Sequence, residues 1–267
     1  MRIAFLVGKF PCLSQPFIIN QIIGLLDQGH EVDIYALEGP SHEDQSHPQV
    51  RDYRLLERTR YGVFPSESLP LRLLQGLGLI LRYGWRYPRS LLAVLNLFKY
   101  GKRAASLRPL FAVIPFLPRQ QYDIIHAQFG VYALLGADLR AMGRLQGKLI
   151  ATFRGFDISE YVRRCGAEVY TDLFAVSDGI LTNCEFFRQR LIALGCPAEQ
   201  VQVHYSSIDC QRFTFQPRSL PPGAPIRIVT VGRLVEKKGI EYALRAIAQL
   251  RPLGIDLEYT LVGDGPL

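Results

Sequence analysis

The chain has 267 residues, 48% hydrophobic and 21% charged, and a net charge of +7 at pH 7, which is an ordinary globular balance with room for one large or two modest domains. No run reaches the roughly 18 apolar residues of a membrane-spanning helix, and the stretch MRIAFLVGKFP lacks the features of a signal peptide. Five scattered cysteines show no CxxC or zinc spacing, which favours reduced thiols and a cytoplasmic location.

The N-terminal residues predict a β-strand, an α-helix and a second strand. Arg2–Val7 is a short buried strand, and residues 8–11 form the turn after it. Ser14 is predicted to cap the following helix, which ends at Gly29, and residues 31–37 form the next strand. A βαβ opening of this kind predicts a parallel sheet with both faces covered.

The next segment changes character twice. Residues 39–61 are polar and predict a loop, whereas Leu71–Phe116 has helical periodicity broken by glycines, which predicts a helical insertion at about 62–120. No acidic residue lies between Glu67 and Asp123, and this interval holds nine cations. Because the net charge of the whole chain is +7, the rest of the chain is slightly acidic. The nine cations of this interval are Arg72, Arg82, Arg86, Arg89, Lys99, Lys102, Arg103, Arg108 and Arg119.

An alternation of strands and helices then returns. The predicted strands are 122–126, 148–153, 179–183 and 201–205, and the predicted helices are 131–142, 167–176 and 185–194. A proline-rich linker at 215–225 separates a first domain, 1–214, from a partial second domain, 226–267. In the second domain, strands 226–231 and 257–262 flank a helix whose apolar face runs from Ile240 to Leu250.

The stretch VGRLVEKKG, Val231–Gly239, places two cations around a turn between a strand and a helix. Backbone N–H groups at such a turn attract an anion, and Arg233 and Lys238 add charge suited to a diphosphate. The alternative is a solvated basic turn in which Glu236 supplies the local counter-charge.

Six stretches together resemble retaining glycosyltransferases of family 4. They are FPCLSQPFIINQI, YDIIHAQFG, ATFRGFDIS and NCEFFRQRLIALGCPAEQVQVHYSSID in the first domain, and VTVGRLVEKKG, followed by VGDGP, in the second. The resemblance is nearest to the group that builds exopolysaccharides such as colanic acid. It implies an α/β protein of the GT-B type, with a complete Rossmann-like domain and only the first βαβ unit of a second one.

The resemblance implies roles for particular residues. Gly232, Arg233 and Lys238 would bind the donor diphosphate, and His126 and Arg154 would be catalytic residues in the cleft. The implied reaction transfers a hexose from a nucleotide-diphosphate sugar to a saccharide or lipid-linked acceptor, with no metal and no further cofactor.

Two further residues are placed on the acceptor side, Gly8 and Asp157. Gly8 would let the backbone approach a ligand closely, with a tight turn as the alternative. Asp157 would cap the next helix or pair with Arg154, and this structural interpretation is favoured over a direct role. The alternative for His126 is a structural role, with the hydrogen bonds of its ring satisfied inside the protein.

The sequence also departs from the family pattern. Arg154 replaces a histidine common in the family, and because arginine stays charged near neutral pH it cannot act as a general base. Gln128 replaces a second histidine, and Ser207 replaces a glycine. The chain also stops before the family's E-x7-E motif, which favours a truncated enzyme. The alternatives are a non-catalytic binding remnant and a nucleotide-sugar epimerase.

The basic segment, residues 71–119, combines cations with leucines and Trp85. This mixture favours contact with an anionic membrane surface, with peripheral attachment at the inner face of the plasma membrane. The alternative is that the apolar residues pack on the first domain. Nucleic acid is not an expected partner, because no nucleic-acid-binding motif is present.

Overall fold

The computed structural model describes residues 1–40, 47–63, 65–94, 107–206, 208, 210 and 213–267. It divides the chain into two compact units, Met1–Ser207 and Ile208–Leu267. The division falls a few residues before the predicted end of the first domain at 214. Each unit is described by itself below.

The first unit contains a seven-stranded parallel sheet, which confirms the predicted α/β class. The strand order is β3-β2-β1-β4-β5-β6-β7. The strands are β1 (Arg2–Lys9), β2 (Glu31–Glu38), β3 (Thr59–Tyr61), β4 (Gln120–Ala127), β5 (Leu145–Phe153), β6 (Gly179–Thr182) and β7 (Val201–Val203).

Helices connect these strands. They are α1 (Pro16–Asp27), α2 (Pro48–Asp52), α3 (Leu69–Tyr83), α4 (Pro88–Val94), α5 (Arg108–Val113), α6 (Gly130–Ala141), α7 (Glu160–Cys165), α8 (Thr171–Val176) and α9 (Glu185–Ala193). Short 3-10 turns lie at Ile114–Phe116, Phe156–Ile158 and Ala167–Tyr170.

Alternate residues of the central strand β1 face opposite sides of the sheet. Ile3, Phe5 and Val7 pack in a cluster with buried isoleucines of α1, whereas Ala4 and Leu6 pack in a second cluster with residues of β4, β5, α5 and α6. Because both faces are covered, the strand can be apolar at nearly every position. The continuous run of apolar letters in the sequence follows from this arrangement.

Several local predictions were wrong. The N-cap of α1 is Gln15, with no side-chain capping bond, so Ser14 is not the cap. Gly8 lies inside β1 and not in a turn. The segment 39–61 contains α2 and the edge strand β3, although its residues 41–46 fall outside the described ranges. The prediction also missed α7 and gave one helix where a 3-10 turn precedes α8.

The basic segment is less uniform than its composition suggests. Arg72 is buried, and its guanidinium donates to the backbone carbonyls of Ser66 and Glu67. Leu79 and Ile80 of α3 pack on the core, whereas the leucines on the other face of α3 and Trp85 are exposed. Residues 95–106, including Lys99, Lys102 and Arg103, fall outside the described ranges. Within the described residues, no helix has the length and apolar character needed to cross a membrane.

The second unit contains the parallel strands β8 (Ile226–Val231) and β9 (Leu257–Val262), joined by α10 (Ile240–Leu250), with 3-10 turns at Glu236–Lys238 and Arg251–Leu253. All three main elements have the predicted bounds. Five of the six residues of β8 are exposed, and α10 has no buried residue. This is the expected result when a single βαβ unit has too little structure to cover a parallel sheet.

Candidate functional site

The candidate site of the first unit lies where neighbouring strands end. β1, β4 and β5 are adjacent and parallel, so their carboxyl ends meet at one edge of the sheet. Gln128 directly follows β4 and Arg154 directly follows β5. Open α/β sheets bind ligands at this edge, and the predicted site residues of the first unit cluster there.

Arg154 is the central cation of this cluster. Its Nη1 donates to Ser206 Oγ at 3.1 Å, and its Nη2 donates to Gln128 Oε1 at 3.0 Å. Its guanidinium carbon lies 4.2 Å from the centroid of the Phe17 ring, in a cation–π contact. Nε is buried without a hydrogen-bond partner. Burial lowers the pKa of Arg154 to about 10, so the group is still a cation at neutral pH.

Gln128 links Arg154 to the first helix. Its side chain is completely buried, and its amide nitrogen donates to Gln21 Oε1 at 2.9 Å while its oxygen accepts from Arg154. A histidine at this position would offer a different donor pattern and a titratable ring. The glutamine therefore holds the guanidinium in place with a neutral group.

A pocket of about 90 Å³ opens beside this network. Among the described residues that line it, Arg154 is the arginine, and none carries a carboxylate. The lining residues are Phe17, Asn20, Gln21, Arg154, His204, Tyr205 and Ser206. They come from the start of α1, the end of β5 and the segment after β7.

His126 is buried behind this surface and does not line the pocket. Its Nε2 lies 2.8 Å from Thr152 Oγ1, and its ring centroid lies 5.1 Å from that of Phe5. Burial, and then the charges of Arg154 and His204, lower the pKa of His126 to about 3. The imidazole is therefore neutral at physiological pH, and this environment matches a satisfied structural histidine. Its predicted catalytic role stays a prediction.

The lowered pKa of His126 predicts an acid-sensitive fold. The pKa is about 6.5 in an unfolded chain, so stability from the neutral imidazole is complete above pH 6.5 and is lost as the pH falls toward 3. We expect His126→Gln, which keeps a neutral polar group beside Thr152, to make stability less dependent on pH between 6.5 and 4. Urea unfolding at stepped pH measures this slope.

The matched control is His30→Gln, which removes a partly exposed imidazole and leaves His126 in place. The control should keep the acid dependence of the parent chain. Equal slopes in the parent and His126→Gln would contradict the assignment of a neutral buried imidazole.

Asp157 braces the turn that carries Arg154. Its Oδ1 accepts from the backbone N–H groups of Arg154 and Gly155 at 3.1 and 2.9 Å, and its Oδ2 accepts from that of Gly130 at 2.9 Å. Burial raises the pKa of Asp157, and these donors act in the opposite direction. The side chain thus contacts the backbone of Arg154 and the first residue of α6, which agrees with the favoured structural interpretation.

Gly8 makes room for a side chain of the protein itself. A Cβ atom at this position would lie 1.9 Å from the hydroxyl oxygen of Tyr132, a residue of α6. Burial, and then the charges of Glu38, Asp157 and Cys12, raise the pKa of Tyr132 to about 12. The close approach predicted at Gly8 is thus made by a tyrosine, and a ligand contact there stays a prediction.

The second unit holds the other predicted residues in one turn. Gly232 and Arg233 follow β8, and Lys238 ends the 3-10 turn before α10. The Lys238 Cε lies 3.9 Å from a Cβ built on Gly232, so the lysine side chain passes over this glycine. Gly239 has φ +66°, which suits glycine and lets α10 begin immediately after the lysine.

The VGDGP turn packs against the same segment. Gly232 N–H donates to Val262 O at 3.0 Å, and Leu234 N–H donates to Asp264 O at 2.8 Å. A Cβ on Gly263 would lie 1.8 Å from Gly232 O, and φ of Gly263 is +157°. The two glycine turns therefore touch backbone to backbone, which fixes the turn that carries Arg233.

The structure brings the predicted residues together in two groups. His126, Arg154 and Asp157 surround one strand edge of the first unit, and Gly232, Arg233 and Lys238 share one turn of the second. Phe17, Asn20, Gln21 and residues 204–206 lie within stretches that carry the family resemblance, but the sequence predicts no role for them. No residue pattern within those stretches shows that they meet, because the meeting depends on strand order.

Comparison with known proteins shows which sequences and folds this chain resembles. Residues 83–212 match Glycosyltransferase Family 4. The whole chain is 33% identical to WcaL of Salmonella typhimurium, named for colanic acid biosynthesis, and 31% identical to the amylovoran biosynthesis glycosyltransferase AmsK of Erwinia amylovora. It spans 65% of the length of each relative.

Solved structures establish the fold. HepE of Anabaena in complex with UDP and glucose matches 99% of this chain and 61% of its own, with a TM-score of 0.61 and 16% identity. The lipopolysaccharide outer core galactosyltransferase WaaB matches 98% and 68%, with a TM-score of 0.54 and 13% identity. The predicted GT-B fold is confirmed. The comparisons do not favour the two alternatives, a nucleotide-sugar epimerase and a non-catalytic binding remnant.

Proposed function

Because residues 83–212 match Glycosyltransferase Family 4, we propose that the chain belongs to this family and serves exopolysaccharide biosynthesis as a glycosyltransferase. It would transfer a hexose from a nucleotide-diphosphate sugar to a saccharide or lipid-linked acceptor, with retention of configuration. The observation that carries the proposal is the match of the entire chain to WcaL and AmsK, named for colanic acid and amylovoran biosynthesis.

The turn of the second unit is the proposed donor site. HepE, a structural neighbour, has been solved with UDP and with UDP-glucose, which supports a uridine nucleotide as the first ligand to test. The Arg233 guanidinium and the Lys238 ammonium would hold the diphosphate and stabilise the negative charge that develops on the leaving group. No metal ion or other cofactor is part of the proposal.

The proposed acceptor and location follow from the first unit. The exposed face of α3 and the exposed Arg82, Arg86 and Arg89 would contact anionic lipid at the inner face of the plasma membrane. Arg72 takes no part, because it is buried. An acceptor that is linked to lipid would meet the enzyme at this surface.

The donor site is tested by titrating UDP into the chain by calorimetry. We expect Arg233→Ala and Lys238→Ala each to weaken UDP binding at least tenfold, because a hydrogen bond to a charged group contributes about 1.5–3 kcal/mol. The control is Arg227→Ala, which removes an exposed cation of β8 paired with Glu258 at 3.1 Å. It should leave UDP binding unchanged.

Two results would overturn the donor assignment. One is an absence of saturable UDP, GDP or ADP binding by the parent chain. The other is equal affinity of the parent and the Arg233→Ala/Lys238→Ala double variant. A transfer assay with a labelled UDP-sugar then identifies the product, and the anomeric signal in its NMR spectrum reports retention or inversion.

A further inference from the structure

The pocket beside Arg154 has the chemistry of an oxyanion site. In the first unit, no carboxylate of the described residues lies within ion-pair distance of the Arg154 guanidinium. Among the described residues, Asp157 is the carboxylate whose charge acts on Arg154, and its two oxygens already accept from three backbone N–H groups. A half-buried guanidinium held only by neutral groups is costly unless something else compensates its charge.

Some hydrogen-bond donors around the pocket have no partner. Arg154 Nε is buried and without a partner, while Nη1 and Nη2 each make one bond to a neutral oxygen. Asn20 and Ser206 add an amide and a hydroxyl to the same lining. A ligand oxyanion could accept from the remaining hydrogens of Nη1 and Nη2, because guanidinium donors match carboxylate and phosphate geometry.

The size of the pocket limits what it can hold. Its volume of about 90 Å³ is several times the roughly 10–15 Å³ that a cavity needs to hold one water. A single phosphate or carboxylate group fits this space. The exposed ring of Tyr205 at the rim offers a surface on which an attached sugar can lie.

We propose that this pocket binds an anionic group, a carboxylate or a phosphate, carried by the saccharide acceptor. The attachment to an acceptor rests on the proposed function, whereas oxyanion binding itself does not. Arg154 would receive the oxyanion, Asn20 and Ser206 would complete its hydrogen bonds, and Gln128 would hold the guanidinium in place through Gln21. Arg154 would then select charged acceptors over neutral ones.

The test follows the Arg154 Nε–H resonance by NMR in the Arg233→Ala/Lys238→Ala background, where the proposed donor turn is disabled. The probes are sodium glucuronate, inorganic phosphate and neutral glucose at constant ionic strength, and Arg154→Lys assigns the resonance. We expect a saturable shift with glucuronate or phosphate and none with glucose. A shift with glucuronate alone identifies a carboxylate, and a shift with phosphate alone identifies a phosphoryl group.

Two variants test the site without relying on removal of the arginine. Gln21→Glu keeps the acceptor for the Gln128 amide and places a negative charge in the pocket, so anion affinity should fall at least tenfold. Asn20→Asp should act in the same direction. The control Arg163→Gln, which removes an exposed cation of α7, should change nothing.

A purely structural Arg154 would give a different pattern. The proposal is overturned if neither anion shifts the resonance, if glucose shifts it equally, or if Gln21→Glu binds the anions as well as the parent does. UDP titration of the chain with native Arg233 and Lys238 is a separate measurement. Normal UDP binding with no anion effect would therefore reject this site alone and leave the proposed function standing.

Discussion

Asp157→Ala is expected to lower the free energy of unfolding of the first unit by about 4 kcal/mol or more. The substitution leaves the N–H groups of Gly130, Arg154 and Gly155 without their acceptor. Each buried donor left unpaired costs about 1–3 kcal/mol, and three of them share this one carboxylate. Urea unfolding followed by circular dichroism measures the loss.

A graded series separates hydrogen bonding from volume. Asp157→Asn keeps an oxygen for Arg154 and Gly155 but turns its amide donors toward Gly130, so we expect an intermediate loss. Asp172→Ala removes an exposed carboxylate in the first turn of α8 and should cost less than about 1 kcal/mol. An Asp157→Ala loss no greater than that of Asp172→Ala would refute the bracing role.

The Asp157 variants also test the pocket beside Arg154. Asp157 fixes the backbone of Arg154, whereas Gln128 and Ser206 fix its guanidinium. Loss of the brace frees the turn at which β5 ends, so Asp157→Asn should weaken anion binding even where the fold survives. Asp157 is therefore a positioning residue for the proposed oxyanion site.

Gly147→Ala is expected to cost about 3 kcal/mol or more. Gly147 lies in β5 with φ +142°, a conformation that residues with a Cβ rarely adopt. A Cβ there would lie 2.6 Å from the backbone oxygen of Tyr122 in β4, and a backbone atom cannot move aside as a side chain can. Both penalties arise at one position of a central strand.

Gly147 also sets the register on which the site depends. Gln121 pairs with Gln146 and Ile124 with Lys148, so two residues of β4 oppose Gly147 alone in a β-bulge. A slip of one residue would turn the side chains of one strand to the other face. The bulge therefore decides that His126 reaches Thr152 and that Gln128 reaches Arg154.

The neighbouring strand offers the control for this prediction. Gly179 begins β6, and a Cβ there would lie 3.9 Å from the nearest atom, which is an ordinary contact. Gly179→Ala should change stability by less than about 1 kcal/mol. If Gly147→Ala and Gly179→Ala proved equally stable in urea, the strained conformation of Gly147 would be rejected.

The two units suggest a division of recognition within the proposed reaction. The second unit carries the cations proposed for the donor diphosphate, and the first unit carries a separate guanidinium proposed for an acceptor oxyanion. The Arg233→Ala/Lys238→Ala variant should therefore lose nucleotide binding and keep anion binding, and Gln21→Glu should lose anion binding and keep nucleotide binding. This follows from the composition of each site and requires no assumption about how the units are arranged.

The sequence by itself determined the elements whose causes are local. β8, α10 and β9 have the predicted bounds because apolar periodicity and flanking glycines act over a few residues. The motif series likewise predicted the cation-flanked turn and the match of residues 83–212 to Glycosyltransferase Family 4. Local signals failed at Ser14, where Gln15 takes the N-cap position, and in the polar segment that contains α2 and β3.

Only the tertiary structure decided what surrounds Arg154. Phe17, Gln128 and Ser206 are distant from one another in the sequence, and all three contact this guanidinium. They meet because the sheet order brings their segments to one edge and a bulge sets the register of β4 and β5. Sequence spacing carries no record of such contacts, since sheet order and pairing are set by packing of the whole unit.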